Sequence, residues 1–147
     1  VQPYLMVFAS KPFDESKLKI FDSGYPTLLV TTNKQLQNSK RFSDVIYIQK
    51  TKEEQFDWEI FFKYCYEKKI YSILLEGGAT LFSDAIKASV INYASFFIAP
   101  KLIGDPKALA VVSLPGIKTL KKAILLDNVI VEKFGQDICM SGEINNE

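Results

Sequence analysis

The residues best suited to chemistry lie together in Leu74-Leu75-Glu76-Gly77-Gly78-Ala79-Thr80-Leu81. Glycines at the carboxyl end of an apolar run, just before a helix, let backbone approach a ligand with no Cβ in the way. The unpaired N–H groups of the helix start attract phosphate. Gly77 and Gly78 are so placed, and Thr80 adds a hydroxyl on the first turn. The same glycines would also serve a plain strand-to-helix turn, and the run is neither G-x-G-x-x-G nor a Walker sequence. Glu76 follows Ile73-Leu74-Leu75 directly. A carboxylate at the edge of a core is costly unless it is paired or faces a cleft, so Glu76 either orients a substrate or caps its own turn or joins a lysine.

Other chemistries are excluded by composition. The chain has 147 residues and no histidine, which rules out a self-contained Ser-His-Asp or Cys-His site and a histidine-type zinc site. No metal is expected. Lys+Arg 18 against Asp+Glu 17 gives a formal net charge of +1 with no basic stripe, so no nucleic acid and no anionic membrane is expected as partner. Cys65 and Cys139 lie among apolar neighbours and read as buried thiols of a reducing compartment, although a disulfide is open to them. No apolar run approaches the roughly 20 residues of a membrane span, and Val1-Gln2-Pro3-Tyr4 is no cationic leader, so the expected location is cytoplasmic. Trp58 and Phe61-Phe62 fall at helical spacing and read as core packing.

The elements that must position the segment alternate. Strands are expected at Tyr4 to Ala9, Pro26 to Thr32 and Val45 to Ile48. A helix is expected from Thr51 to Lys69, with Phe56, Ile60 and Tyr64 on its apolar stripe and Thr51 and Glu54 as a capping box. Tyr71 to Leu75 reads as a further strand, followed by a helix carrying Leu81, Ala85 and Ile86. Strands at Asn92 to Ala99, Lys122 to Leu126, Asn128 to Phe134 and Asp137 to Ile144 follow, the last two joined by a Gly135-Gln136 hairpin turn. The expected architecture is a three-layer α/β fold, its sheet mostly parallel and closed by a C-terminal antiparallel hairpin.

Leu74 to Leu81, with Phe97-Ile98-Ala99-Pro100-Lys101-Leu102-Ile103-Gly104, Pro26 to Thr32 and the closing Gly135 to Gly142, resembles the C-terminal reductase domain of the bacterial bifunctional riboflavin-biosynthesis deaminase/reductase. That family has a dihydrofolate reductase-like fold. The resemblance implies NADPH-dependent reduction of the ribosyl group of 5-amino-6-(5-phosphoribosylamino)uracil to ribityl, with a phosphoribosyl-pyrimidine as substrate. It further implies that Gly77, Gly78, Ala79, Thr80 and Leu81 pass under the cofactor pyrophosphate and that Glu76 stands at the substrate and nicotinamide end. Ser10 and Lys11 would meet the adenosine end, where a lysine suits a 2′-phosphate as a point charge.

The chain opens without methionine and runs straight into an apolar strand, so residues 1–147 are expected to be a single partial reductase domain, truncated at its N-terminus. On this reading the linked upstream deaminase domain and the first reductase strands belong to the parent chain, the fragment alone is inactive, and an uncovered sheet edge favours a homodimer. Two other readings are a non-catalytic nucleotide-binding or oligomerisation module and a dihydrofolate reductase.

Overall fold

A computed structural model describes residues 3–114 and 117–145 and divides the chain into two compact units, residues 1–71 and 72–147. The first unit holds a three-stranded parallel sheet in the order β1-β2-β3: β1 is Leu5–Ala9, β2 is Thr27–Thr31 and β3 is Asp44–Tyr47. β2 is central and every residue in it is buried, as expected of a parallel strand covered on both faces. Side chains alternate accordingly. Val7, Ala9, Leu29 and Val45 pack with Leu36 and Phe42 and with Phe13, Leu18 and Phe21 from the irregular segment after β1. On β1, Phe8 lies between Val7 and Ala9 in sequence and instead meets Phe56, Trp58 and Phe61, at ring-centroid distances of 5.7, 6.3 and 5.3 Å.

Helix α1 is Trp58–Glu67, shorter than the Thr51–Lys69 expected from sequence. Asp57 ends it at the N-terminal side by accepting a hydrogen bond from the Ile60 N–H, so Thr51 and Glu54 form no capping box. They belong to a separate turn. The buried stripe is also rotated from the expected one: Trp58, Phe61 and Cys65 face inward, while Ile60 is 46% exposed. Bulk accounts for this, because the two large rings of Trp58 and Phe61 pack on Phe8. Trp58 and Phe61 are therefore core, as expected, whereas Phe62 is partly exposed and stacks on Trp58.

The second unit contains helix α2, Ala79–Lys87, and an antiparallel sheet in the order β4-β6-β5, with β4 Tyr93–Ile98, β5 Leu126–Phe134 and β6 Asp137–Ile144. Parallel and antiparallel pairing thus divide along the chain as expected, but they form two sheets. The expected hairpin is present, with Gly135 at φ +64. Lys122 to Leu126 is not a strand: residues Leu120–Lys122 make a 3₁₀ turn and β5 starts at Leu126, with a register shift between Asp127 and Ile130 and Asn128 at φ +51. Tyr71 to Leu75 is not a strand either, and Tyr71 and Leu74 are 74% and 83% exposed. A β-prone run becomes a strand only where a neighbour pairs its backbone, and each sheet pairs only its own three strands.

Candidate functional site

The entrance to α2 carries the residues singled out from sequence. Gly78 is the N-cap, at φ −36 and ψ 170, and contributes no side-chain oxygen to the first-turn N–H groups. A glycine required by a tight turn normally sits at positive φ, as Gly24, Gly104 and Gly135 do, and neither Gly77 nor Gly78 is among them. A Cβ added at Gly78 would meet nothing within 4 Å; at Gly77 it would come 3.0 Å from Leu81 Cδ2, the mobile end of a flexible side chain. Packing therefore does not demand glycine at Gly78. What its absent side chain leaves open is the approach to N–H groups at the positive end of the helix dipole. Thr80 is exposed on this first turn, and Ala79 and Leu81 are half-buried.

Glu76 is exposed, not at a core edge, because the strand expected to carry it does not form. Among the described residues it makes no ion pair and no side-chain hydrogen bond, so neither a capping nor a lysine-paired role is seen. Its carboxylate is free to accept from a ligand.

Ser10 and Lys11 belong to the first unit, directly after β1, and both are exposed. The carboxyl ends of the parallel strands are tied together around them. The Thr31 hydroxyl donates to the Ala9 carbonyl at 2.7 Å and accepts from the Asn33 N–H at 3.0 Å. Asn33 Nδ2 donates to the Ser10 carbonyl at 3.4 Å, and the Ile48 N–H donates to the Thr31 carbonyl at 2.8 Å. At this same end lies an open, largely polar surface hollow of about 430 Å³, lined by Thr32, Tyr47, Gln49, Lys50, Lys52 and Glu54 together with Thr51. Ser10 and Lys11 are not among its lining residues. Sequence reasoning missed this hollow. The signal was Gln49-Lys50-Thr51-Lys52, two lysines just past the carboxyl end of a half-buried parallel edge strand.

The other ionisable groups point to structure more than to catalysis. At the start of β3, Asp44 Oδ2 accepts from the Tyr64 hydroxyl at 2.7 Å and from Lys68 Nζ at 2.6 Å, joining the strand to α1. Burial pushes the Asp44 carboxyl up, but donation from Lys68, Tyr64 and the Val45 N–H outweighs it and holds the group below its usual value. Burial raises the Cys65 thiol to about 11, which leaves it protonated and inert near neutrality. Cys65 and Cys139 are both free and buried. Among the described residues no group of three or more His, Cys, Asp and Glu is placed to hold a metal, and no helix is long and apolar enough to cross a membrane.

Residues 1–140 match the family model of the RibD C-terminal domain. The chain is 29% identical over 119 residues to the riboflavin biosynthesis protein RibD of Actinobacillus pleuropneumoniae, covering 79% of this chain and 32% of that protein. Solved structures share the fold. The Saccharomyces cerevisiae riboflavin biosynthesis reductase Rib7 superposes with a TM-score of 0.76 at 16% identity, over 99% of this chain and 74% of that one. The Thermotoga maritima diaminohydroxyphosphoribosylaminopyrimidine deaminase/5-amino-6-(5-phosphoribosylamino)uracil reductase gives 0.68 at 18% identity, over 97% of this chain and 38% of that one. The chain thus spans about a third of the length of its bacterial relative. The α/β fold is that of the riboflavin reductases, dihydrofolate reductase-like, and the match across residues 1–140 takes in both units and the Glu76–Leu81 segment, so this chain belongs to the RibD C-terminal domain family.

Proposed function

We infer that this chain is a pyrimidine reductase domain of riboflavin biosynthesis. It would reduce the ribosyl group of 5-amino-6-(5-phosphoribosylamino)uracil to ribityl with NADPH as donor. The observation that carries the reading is Gly78, a helix N-cap without a side-chain cap whose Cβ position is open space, at the one glycine pair of a chain whose family is that of riboflavin reductases. The residues fit a dinucleotide: the first turn of α2 presents N–H groups with no side-chain cap, and the open Cβ position at Gly78 leaves room for a pyrophosphate beside Ala79, Thr80 and Leu81. Ser10 and Lys11, at the carboxyl end of β1, are read as contacts to the adenosine end.

When bound, NADPH supplies a hydride. The chain's own residues supply position. Glu76 accepts hydrogen bonds from ribosyl hydroxyls or ring N–H groups and so holds C1′ of the open-chain imine toward the nicotinamide. The hydride adds at C1′ and a proton adds at nitrogen, so the C=N bond becomes the C–N bond of the ribityl amine. In this reading residues 1–147 act as one reductase domain, cytoplasmic and homodimeric. The longer Thermotoga maritima deaminase/reductase, of which this chain covers 38%, supports a covalently linked deaminase domain in the parent protein.

Label transfer tests it. In the protein as its gene encodes it, deuterium at C4 of NADPH should appear at C1′ of the ribityl product. Glu76→Gln should lower kcat/KM for the sugar substrate by about 10²-fold with NADPH affinity little changed. No transfer, with no NADPH binding, would remove the reductase reading; a variant within a few-fold of wild type would remove Glu76 from the site.

A further inference from the structure

A buried hydroxyl ties the first turn of α2 to a segment 30 residues away in sequence. Ser83 is buried on α2, and its Oγ donates to the Ala79 carbonyl at 2.5 Å while accepting from the Ser113 N–H at 2.7 Å. All three residues lie in the second unit. Ser113 ends a run, residues 99–113, that follows β4 with no helix or strand. Leu102 and Leu109 of this run are wholly exposed, so burial of these side chains does not hold it. Its own hydrogen bonds are local: the Lys101 N–H donates to the Ala99 carbonyl at 2.8 Å, and the Ala108 and Lys107 N–H groups donate to the Asp105 carbonyl and carboxylate at 3.0 and 2.8 Å. Among the described residues, its hydrogen bond to α2 is the one at Ser83. A buried helical serine is satisfied by the carbonyl four residues back, so burial alone does not call for the second partner.

The Ala79 carbonyl shares one conjugated peptide unit with the Thr80 N–H. The first bond within α2 runs from the Phe82 N–H to the Gly78 carbonyl at 3.2 Å, so the Thr80 N–H has no partner inside the helix. We propose that Ser83 is a positioning residue for the anion at this entrance: the chain of Ser113 N–H, Ser83 O–H and Ala79 C=O couples a pyrophosphate accepted from the Thr80 N–H to the attachment of residues 99–113. The inference rests on the dinucleotide reading and adds to it a residue that acts through Ala79 and not on the ligand itself. Donation to a carbonyl draws electron density from its peptide nitrogen and makes that N–H a stronger donor. In the opposite sense, an anion on the Thr80 N–H enriches the Ala79 oxygen, strengthens the bond from Ser83 and makes Ser83 Oγ a better acceptor for Ser113. The coupling is reciprocal, so what the attached run adds to ligand affinity the ligand returns to its attachment.

Hydrogen exchange resolved to the Ser113 amide, with an NADPH titration followed by nicotinamide fluorescence, tests this in the protein as its gene encodes it. In wild type, NADPH should slow exchange of the Ser113 N–H by about fivefold or more, the lower end of ordinary coupling between sites. Ser83→Ala should abolish that protection and weaken NADPH binding by about fivefold. Ser113→Pro removes the same donor from the other side, leaves α2 untouched, and should weaken NADPH to a similar extent. Ser113 is exposed, so water takes up its N–H in Ser83→Ala, and circular dichroism checks that each variant folds. A serine that only stabilised the helix would change the melting temperature and leave the NADPH affinity where it was. Unchanged affinity in both folded variants, or exchange at Ser113 indifferent to NADPH in a wild type that binds it, overturns the proposal and keeps the reductase reading. No NADPH binding by wild type overturns both.

Discussion

Gly78 separates a turn residue from a binding residue by measurable geometry. A Cβ there would enter open space at an exposed helix entrance, so Gly78→Val should still fold, which circular dichroism checks. If a pyrophosphate passes over this backbone, the branched side chain blocks its path. NADPH binding, followed by nicotinamide fluorescence, should then be lost; an unchanged titration by a folded variant would reduce the glycine pair to a connector. Glu76 is legible in sequence as a carboxylate in a telling place, but its exposure is not. The carboxylate is free because the preceding residues leave their backbone outside both sheets.

Two elements depend on single contacts that can be tested. The amino end of β3 is joined to α1 by Asp44, with Lys68 and Tyr64 as donors. The Asp44 carboxyl is held below its usual value in the folded protein, so this contribution is present above the unfolded pKa of about 3.9 and is lost as pH falls through the lower folded value. Acid unfolding followed by Trp58 fluorescence should therefore begin below about pH 4, and Asp44→Asn should flatten that part of the profile. Its cost near neutrality should be only about 1 kcal/mol, since the pair is one-third or more exposed and screened. In the second unit, a Cβ on Gly142 of β6 would come 2.8 Å from the Asp127 carbonyl oxygen, where β5 shifts register. Backbone cannot swing aside as a side chain can. Gly142→Ala should cost about 1–3 kcal/mol in a denaturant titration, and a stability equal to wild type would mean that β5 shifts freely there.

Among the described residues, the antiparallel sheet ends in two edge strands, β4 and β5. β5 is nine residues long, with Val129, Ile130 and Val131 about half exposed or more, and Phe97 and Phe134 form an exposed ring pair at 5.8 Å. A long apolar edge of this kind is a template for pairing with another strand, and a second copy related by a twofold axis satisfies it most simply. Light scattering should give twice the chain mass at high concentration, and Phe97→Asp should shift the mass toward the monomer. A strictly monomeric wild type would rule out the homodimer.

Short continuous apolar runs bounded by turn residues were enough to find β1, β2, β3, β4 and the closing hairpin, because such short strands are encoded by their own side chains. The segment Glu76 to Leu81 was also visible, since residue type and a strand-to-helix context name its chemistry locally. Three outcomes needed the tertiary structure. Which stripe of α1 faces inward was settled by how Trp58 and Phe61 fit over Phe8, a matter of volume that helical spacing does not encode. Whether Tyr71 to Leu75 becomes a strand depends on a partner for its backbone, and no property of the five residues supplies one. The hollow beside Lys50 exists because parallel pairing brings the ends of β2 and β3 to one place, so residues from Thr32 to Glu54, separated in sequence, line a single space.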